Sequence, residues 1–264
     1  MNKGNLKSYA PQARLDFIAA VTARANLLGI TATGVSSVEA RGDVAIIEGR
    51  EWSGKIVAQR DKLVARILRH GFDQSMEEVA YTWFNRFAAL RYMELHDYLA
   101  HGWRVLSSRD GGLPEILMHA SEVLLPGLSQ ERVKELQLAG NQDNELYKLL
   151  LVAQCNELSR SMPFLFERID DETELLLPEN LLRTDSVLVK LVMAVPEEDW
   201  GQVEAIGWLY QFYISDKKNE VIGKVSRSED IPAATQLFTP NWIVKFLLQN
   251  SVGKMWAEAN PSSM

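Results

Sequence analysis

The chain has 264 residues, 47% of them apolar and 24% charged, and a net charge of −7. This is the composition of an ordinary soluble globular protein, and the acidic balance argues against a simple nucleic-acid binder. The single cysteine excludes an internal disulfide, no apolar run reaches the roughly 20 residues of a membrane span, and the first residues lack an apolar signal core. A cytoplasmic protein with no membrane partner is expected.

Taken in chain order, Pro11 to Leu28 has the period of a helix, with Pro11 near its start and Gly29 as its stop. Gly34 to Gly54 holds four glycines and short β-type runs, Val44–Ile47 and Glu51–Trp52, a pattern that admits a small β-hairpin. Lys55 to His70 reads as an amphipathic helix. Ile56, Leu63 and Ile67 line one face, and Lys55, Lys62, Arg66 and Arg69 line another. Charge is uneven along the chain: residues 1–70 carry 11 Lys+Arg against 6 Asp+Glu, and residues 71–264 carry 17 against 29. A cationic row at helical spacing can track a phosphate backbone, or it can be a solvated outer face; both readings stay open.

The next helix is expected to be capped by Ser75 and to run to about Leu99. It is apolar on most sides, with Val79, Trp83, Phe84, Phe87 and Leu90, which predicts a central core helix. Asn85, Arg86, Arg91 and Glu94 are embedded in it, so a paired polar network is expected there. A loop follows at Gly102–Gly112, then short helices at Glu115–Leu124 and Ser129–Leu138. Asn141 should cap a long helix to about Ser161, where Cys155 has apolar neighbours and reads as core, not nucleophile. The acidic turn around Asp170–Glu174 lacks calcium-loop spacing and glycine. Asp185 should cap Val187–Ala194, and Pro196 should open a helix through Tyr213, in which Gly207 suggests a close helix–helix contact.

The residues that carry most chemistry do not assemble into a pattern. His70, His96, His101 and His119 are scattered without zinc spacing, and no phosphate loop, nucleophile elbow or H-E-x-x-H motif occurs. No catalytic or metal-binding residue is expected. The layout read from the chain is a helical domain over 1–214, a polar linker over 215–230, and a distinct segment over 231–264.

That last segment contains Pro232–Leu248. Gln236-Leu237-Phe238 should be extended, with Thr239 as N-cap and Pro240 at the first helical position. Ile243, Val244, Leu247 and Leu248 then form one apolar stripe. The mouth of such a helix presents backbone N–H groups and partial positive charge, and suits a carboxylate or phosphate.

Thr-Gln-Leu-Phe-Thr-Pro followed by Trp-Ile-Val resembles motif X of adenine-specific DNA methyltransferases. Upstream, Ala80–Phe87, Arg91–His96, Gly140–Asp143, Met162–Glu167 and Ile206–Ile214 look like the N-terminal region of the PglX family. These are the large methyltransferases of BREX phage-exclusion systems. The resemblance implies a mainly α, multi-helix N-terminal domain followed by the start of a Rossmann-like methyltransferase domain whose sheet is not in the chain. It implies S-adenosylmethionine as cofactor, double-stranded DNA and other BREX proteins as partners, and Gln236, Phe238, Thr239 and Pro240 as one wall of the cofactor pocket. The family's Gly-rich Asp-Pro-x-x-Gly-x-Gly motif and its Asn-Pro-Pro-Tyr type motif are not in these residues; Asn260-Pro261-Ser262-Ser263 lacks the second proline and the aromatic. This chain alone is therefore expected to be inactive, and residues 215–264 less stable than the helical lobe. The rival expectation is a non-catalytic helical module that docks DNA or other proteins of the defence complex.

Overall fold

Asn2 starts the first helix: its side chain accepts the Gly4 N–H at 2.9 Å and caps α1 (Lys3–Leu27). The computed structural model describes residues 2–166, 172–222, 231–235 and 237–261. α1 begins eight residues before the expected Pro11, which lies inside the helix. An interior proline removes one helical hydrogen bond. Burial of Leu6, Tyr9 and Ala10 ahead of it holds the extra turns in place. Asp199, far along the chain, accepts the Asn2 N–H and the Asn5 side chain, fixing the same end.

Two small antiparallel sheets follow, so the hairpin region is larger than the sequence suggested. β1 (Ile30–Thr31) pairs with β2 (Gly34–Val35), and β3 (Glu39–Arg41), β4 (Val44–Ile47) and β5 (Arg50–Ser53) form a three-stranded meander. Glu48 and Gly49 both have positive φ, the conformation that a two-residue hairpin turn matching strand twist needs. Ala45 and Ile47 face inward and are fully buried.

α2 (Ile56–His70) ends at Gly71, and α3 (Phe72–Leu95) starts at once. Ser75 is not the cap. It sits one turn inside, its hydroxyl donating to the Gly71 carbonyl at 2.7 Å. α3 is the central helix: Trp83, Phe84, Phe87 and Leu90 are buried, and Phe17 of α1 meets Phe84 edge-on with centroids 5.6 Å apart. Two of its embedded polar residues, Arg91 and Glu94, form a network of the kind expected. Arg91 donates to Glu94 at 2.6 Å and to Ser107 at 2.7 Å, and the Leu106 N–H reaches Glu94 at 2.7 Å. Glu197 closes the network from outside, accepting from Arg91 and from Arg104.

The second half of the lobe is built from α4 (Glu115–Met118), shorter than expected, α5 (Gln130–Ala139) and α6 (Asp143–Leu158). Ser129 caps α5 as its side chain accepts the Arg132 N–H. Gln142, not Asn141, stands at the α6 cap, because Asn141 takes a positive φ in the preceding turn. α7 (Glu172–Leu175) follows; Asp170 and Asp171 of the acidic turn lie outside the described residues, and its other residues open α7. α8 (Val187–Ala194) has the expected bounds, but Ser186 makes the cap bond, to the Val189 N–H. The helix expected from Pro196 is two pieces: a 3-10 turn over Glu197–Trp200, then α9 (Glu204–Tyr213).

The stretch read as a linker opens with α10 (Ser215–Val221), whose Lys217 reaches Glu77 of α3 at 2.9 Å; residues 223–230 lie outside the described residues. α11 (Ile231–Thr235), α12 (Asn241–Leu248), a π turn over Gln249–Gly253 and α13 (Lys254–Ala259) complete the chain. The architecture is mainly α with small β elements, as the sequence predicts. One hydrophobic core runs between α1, α3, α8 and α9, and α12 and α13 bury no residue.

Candidate functional site

Leu237–Pro240 has no regular secondary structure, in keeping with Thr239 preceding a proline. The helix behind it starts one residue later than expected. Pro240, with extended ψ of 146°, is the cap residue, and Thr239 makes no cap bond. Capping comes instead from another element: the Glu204 carboxylate of α9 accepts the Asn241 N–H at 2.5 Å. The helix mouth is therefore partly occupied by a carboxylate of the protein itself, which suits its partial positive charge.

α9 presents a continuous face to this segment. Glu204, Gly207, Trp208 and Gln211 are spaced at i, i+3, i+4 and i+7, so they share one side of the helix. The Gln211 side-chain oxygen accepts the Phe238 N–H at 2.9 Å. The Phe238 ring meets Trp208 edge-on at 5.2 Å and lies over Gly207, where a Cβ would overlap it. The close contact expected at Gly207 exists, but its partner is an aromatic ring, not a second helix. Trp208 is held in turn by Phe212, stacked at 5.7 Å, and by the Lys3 ammonium, 3.9 Å from its ring centroid.

Beside the helix head lies a cleft of about 440 Å³, lined by Gln202, Val203, Glu204, Asn241, Trp242 and Lys245. Thr239 is exposed and Pro240 half-buried, and neither is among the residues that line this cleft. Phe238 is half-buried and turned to α9. Gln236 lies outside the described residues. The exposed Thr239, the half-buried Pro240 and the free space beside Asn241 leave room for a ligand at the helix head. Gln211 and Glu204 were not singled out by sequence reasoning. The signal that could have found them is their helical register with Gly207.

The cationic row of α2 sits on the outer surface. Lys55, Lys62 and Arg69 are exposed, whereas Arg66 is half-buried and donates to Glu78 at 2.9 Å. Arg69 turns back to the Ala65 carbonyl at 3.3 Å. The row lies on and beside α2, whereas the 237–240 segment is held by α9. A fifth cation, Arg60, is buried, with its guanidinium donating to the carbonyls of Leu28 and Ser36 at 2.7 Å each. It is a structural tie between α2 and the start of the sheets. Among the described residues no group of three or more His, Cys, Asp or Glu is placed to hold a metal.

Comparison with curated proteins decides the relationship. The whole chain matches the adenine-specific methyltransferase BrxX of Escherichia coli O9:H4 (strain HS) at 53% identity over 272 residues. It matches the adenine-specific methyltransferase PglX of Lacticaseibacillus casei (strain Zhang) at 37% over 286 residues, with 97% of the chain covered. The chain is a BrxX/PglX relative along its whole length. It spans 22% of the length of that BrxX and 23% of that PglX. No family model matches the chain. With the BrxX/PglX relationship in hand, the α9 face and the segment it holds are the candidate site, and the α2 row is a second, separate candidate.

Proposed function

We propose that the chain is the N-terminal part of a site-specific DNA methyltransferase of BREX type, which transfers a methyl group to the N6 amine of adenine and marks host DNA in phage defence. The observation that carries this reading is the 53% identity, along the entire chain, to a protein named an adenine-specific methyltransferase. S-adenosylmethionine, when bound, supplies an electrophilic methyl group on a sulfonium. Thr239 and Pro240 line one side of its pocket, Gln236 belongs to the same cofactor-binding stretch, and Phe238 anchors that wall on α9. The target adenine must leave the stack to present its amine, so positioning is a large part of the task. The layout is a helical domain over 1–214, a linker over 215–230 and the start of the methyltransferase domain over 231–264. By itself this chain does not methylate DNA, and the complete protein works in the cytoplasm.

Lys55, Lys62, Arg66 and Arg69 form the surface through which the helical lobe meets the DNA backbone. A second reading is favoured by the apolar side chains exposed on the lobe itself, Leu68, Leu124, Leu138, Phe164 and Met193. In that reading the lobe docks other proteins of the defence complex, and the α2 row is only solvated.

Calorimetry with S-adenosylmethionine tests the first reading, on this chain and on the full-length protein. Binding by the full-length protein alone is expected. Tight binding by this chain would overturn the division of the pocket, and no binding by either would remove the cofactor role.

A further inference from the structure

α9 carries every side-chain bond that leaves the backbone of the 237–241 segment among the described residues: Gln211 on the Phe238 N–H and Glu204 on the Asn241 N–H. The two bonds are about two turns apart on the helix, and the ring contact at Gly207 and Trp208 lies between them. Three separated contacts fix a short segment in position and in rotation, which one contact cannot do. α9 is itself immobilised. Leu209 and Tyr213 are buried, and Tyr213 stacks on Phe84 of the central helix at 4.3 Å. The segment is thus referenced to the core of the helical lobe through α9, although 27 residues separate α9 and α12 along the chain.

We infer that Gln211 and Gly207 are positioning residues for the cofactor wall: the lobe, through one face of α9, sets where Phe238, Thr239 and Pro240 stand. This rests on the reading of that segment as a cofactor wall. Gly207 supplies a notch. Without a Cβ the ring lies directly on the helix backbone, and with one the ring and the wall behind it must move outward. Gln211 fixes the wall along the helix axis by accepting a backbone N–H, so an acceptor is required there and a charge is not. Glu204 completes the clamp at the head of α12.

The test uses the full-length protein with four variants and two readouts: amide exchange across Trp242–Gln249, and S-adenosylmethionine affinity by calorimetry. Gln211→Ala and Gly207→Ala are expected to accelerate exchange in that stretch and to weaken cofactor binding on the order of ten-fold, the scale of one lost net hydrogen bond or contact. Gln211→Glu keeps the acceptor and should preserve both. Alanine favours helix over glycine, so a loss in Gly207→Ala cannot come from melting α9. Thr239→Glu, at an exposed position outside the α9 contact, reports on the wall itself. If Thr239→Glu abolishes binding while Gln211→Ala and Gly207→Ala change neither readout, the positioning role is overturned. If Thr239→Glu leaves affinity intact while Gln211→Ala still accelerates exchange, the cofactor wall is what fails, and α9 holds the segment for another purpose.

Discussion

Arg91 and Glu94, one turn apart on the central helix and each no more than 2% exposed at the side chain, face one another at 2.6 Å. Neither charge reaches water, so each is held by the other and by Ser107, Leu106 and Glu197. Burial pushes the Glu94 carboxyl up, and the Arg91 charge with the Leu106 and Ser107 hydrogen bonds opposes that shift. Removing one partner leaves an uncompensated buried charge. Arg91→Ala should destabilise the fold by about 3–5 kcal/mol, read as a fall in the urea midpoint. A paired replacement of both by leucine should cost much less than either single change, and a cost equal to the sum of the two single changes would show that the pair is not coupled.

Glu77 gives a pH dependence of definite sign. Burial alone would raise its carboxyl, but hydrogen bonds from Arg14 and Lys217 outweigh it and hold it below the ordinary carboxylate range. A carboxyl whose folded pKa is depressed contributes its stability above the unfolded pKa and loses it as pH falls through the folded one. Melting temperature should therefore drop through and below the ordinary carboxylate range, and Glu77→Gln should flatten that part of the profile. An unchanged profile would mean that the ties to α1 and α10 add nothing.

Cys155 is fully buried, and burial pushes its thiol up to about 12. It should resist a thiol reagent until the protein unfolds, so labelling would follow global opening. Cys155→Ser should cost about 1–3 kcal/mol by placing a hydroxyl without a partner in the core. Fast labelling of the native protein would contradict this burial.

For the α2 row, Lys55→Glu and Lys62→Glu are the informative changes, because Arg66→Glu would set a carboxylate against Glu78. If the row meets DNA, each change should weaken binding and lower the salt slope by about one unit. No binding at low salt would leave the docking reading.

The apolar stripe of α12 is largely exposed in this chain: Val244 at 40%, Leu247 at 59%, Leu248 at 54%. A helix with no buried side chain is held by its own hydrogen bonds and little else. Its amides should exchange far faster than those of α3 when this chain is studied alone. Uniform protection across Trp242–Gln249 would count against that.

Much of this was legible in the sequence, for physical reasons. The apolar density of Val79–Leu90 marks a central helix, and polar residues trapped in it announce a network. What could not be read is where long-range partners override local signals. Pro11 reads as a helix start, but burial of Leu6 and Tyr9 extends the helix past it. Thr239 reads as an N-cap, but Glu204 from α9 does that work. Gly207 signals close approach without naming its partner, since the ring that fills the notch comes from a separate segment. Turn chemistry moved caps by one or two positions, as at Asn141, whose positive φ is settled by the turn and not by the helix after it.

α1 packs on α3 but also on α8 and α9, whose residues come more than 150 positions later. On the ribosome, its apolar side chains Leu6, Tyr9, Phe17 and Val21 are made long before α9. At ordinary elongation rates that interval is roughly 10–40 s. For that time the first helix is a sticky, incompletely covered segment next to the exit tunnel. Its safe passage depends on chaperones, or on provisional cover by α3, until the second half of the lobe arrives.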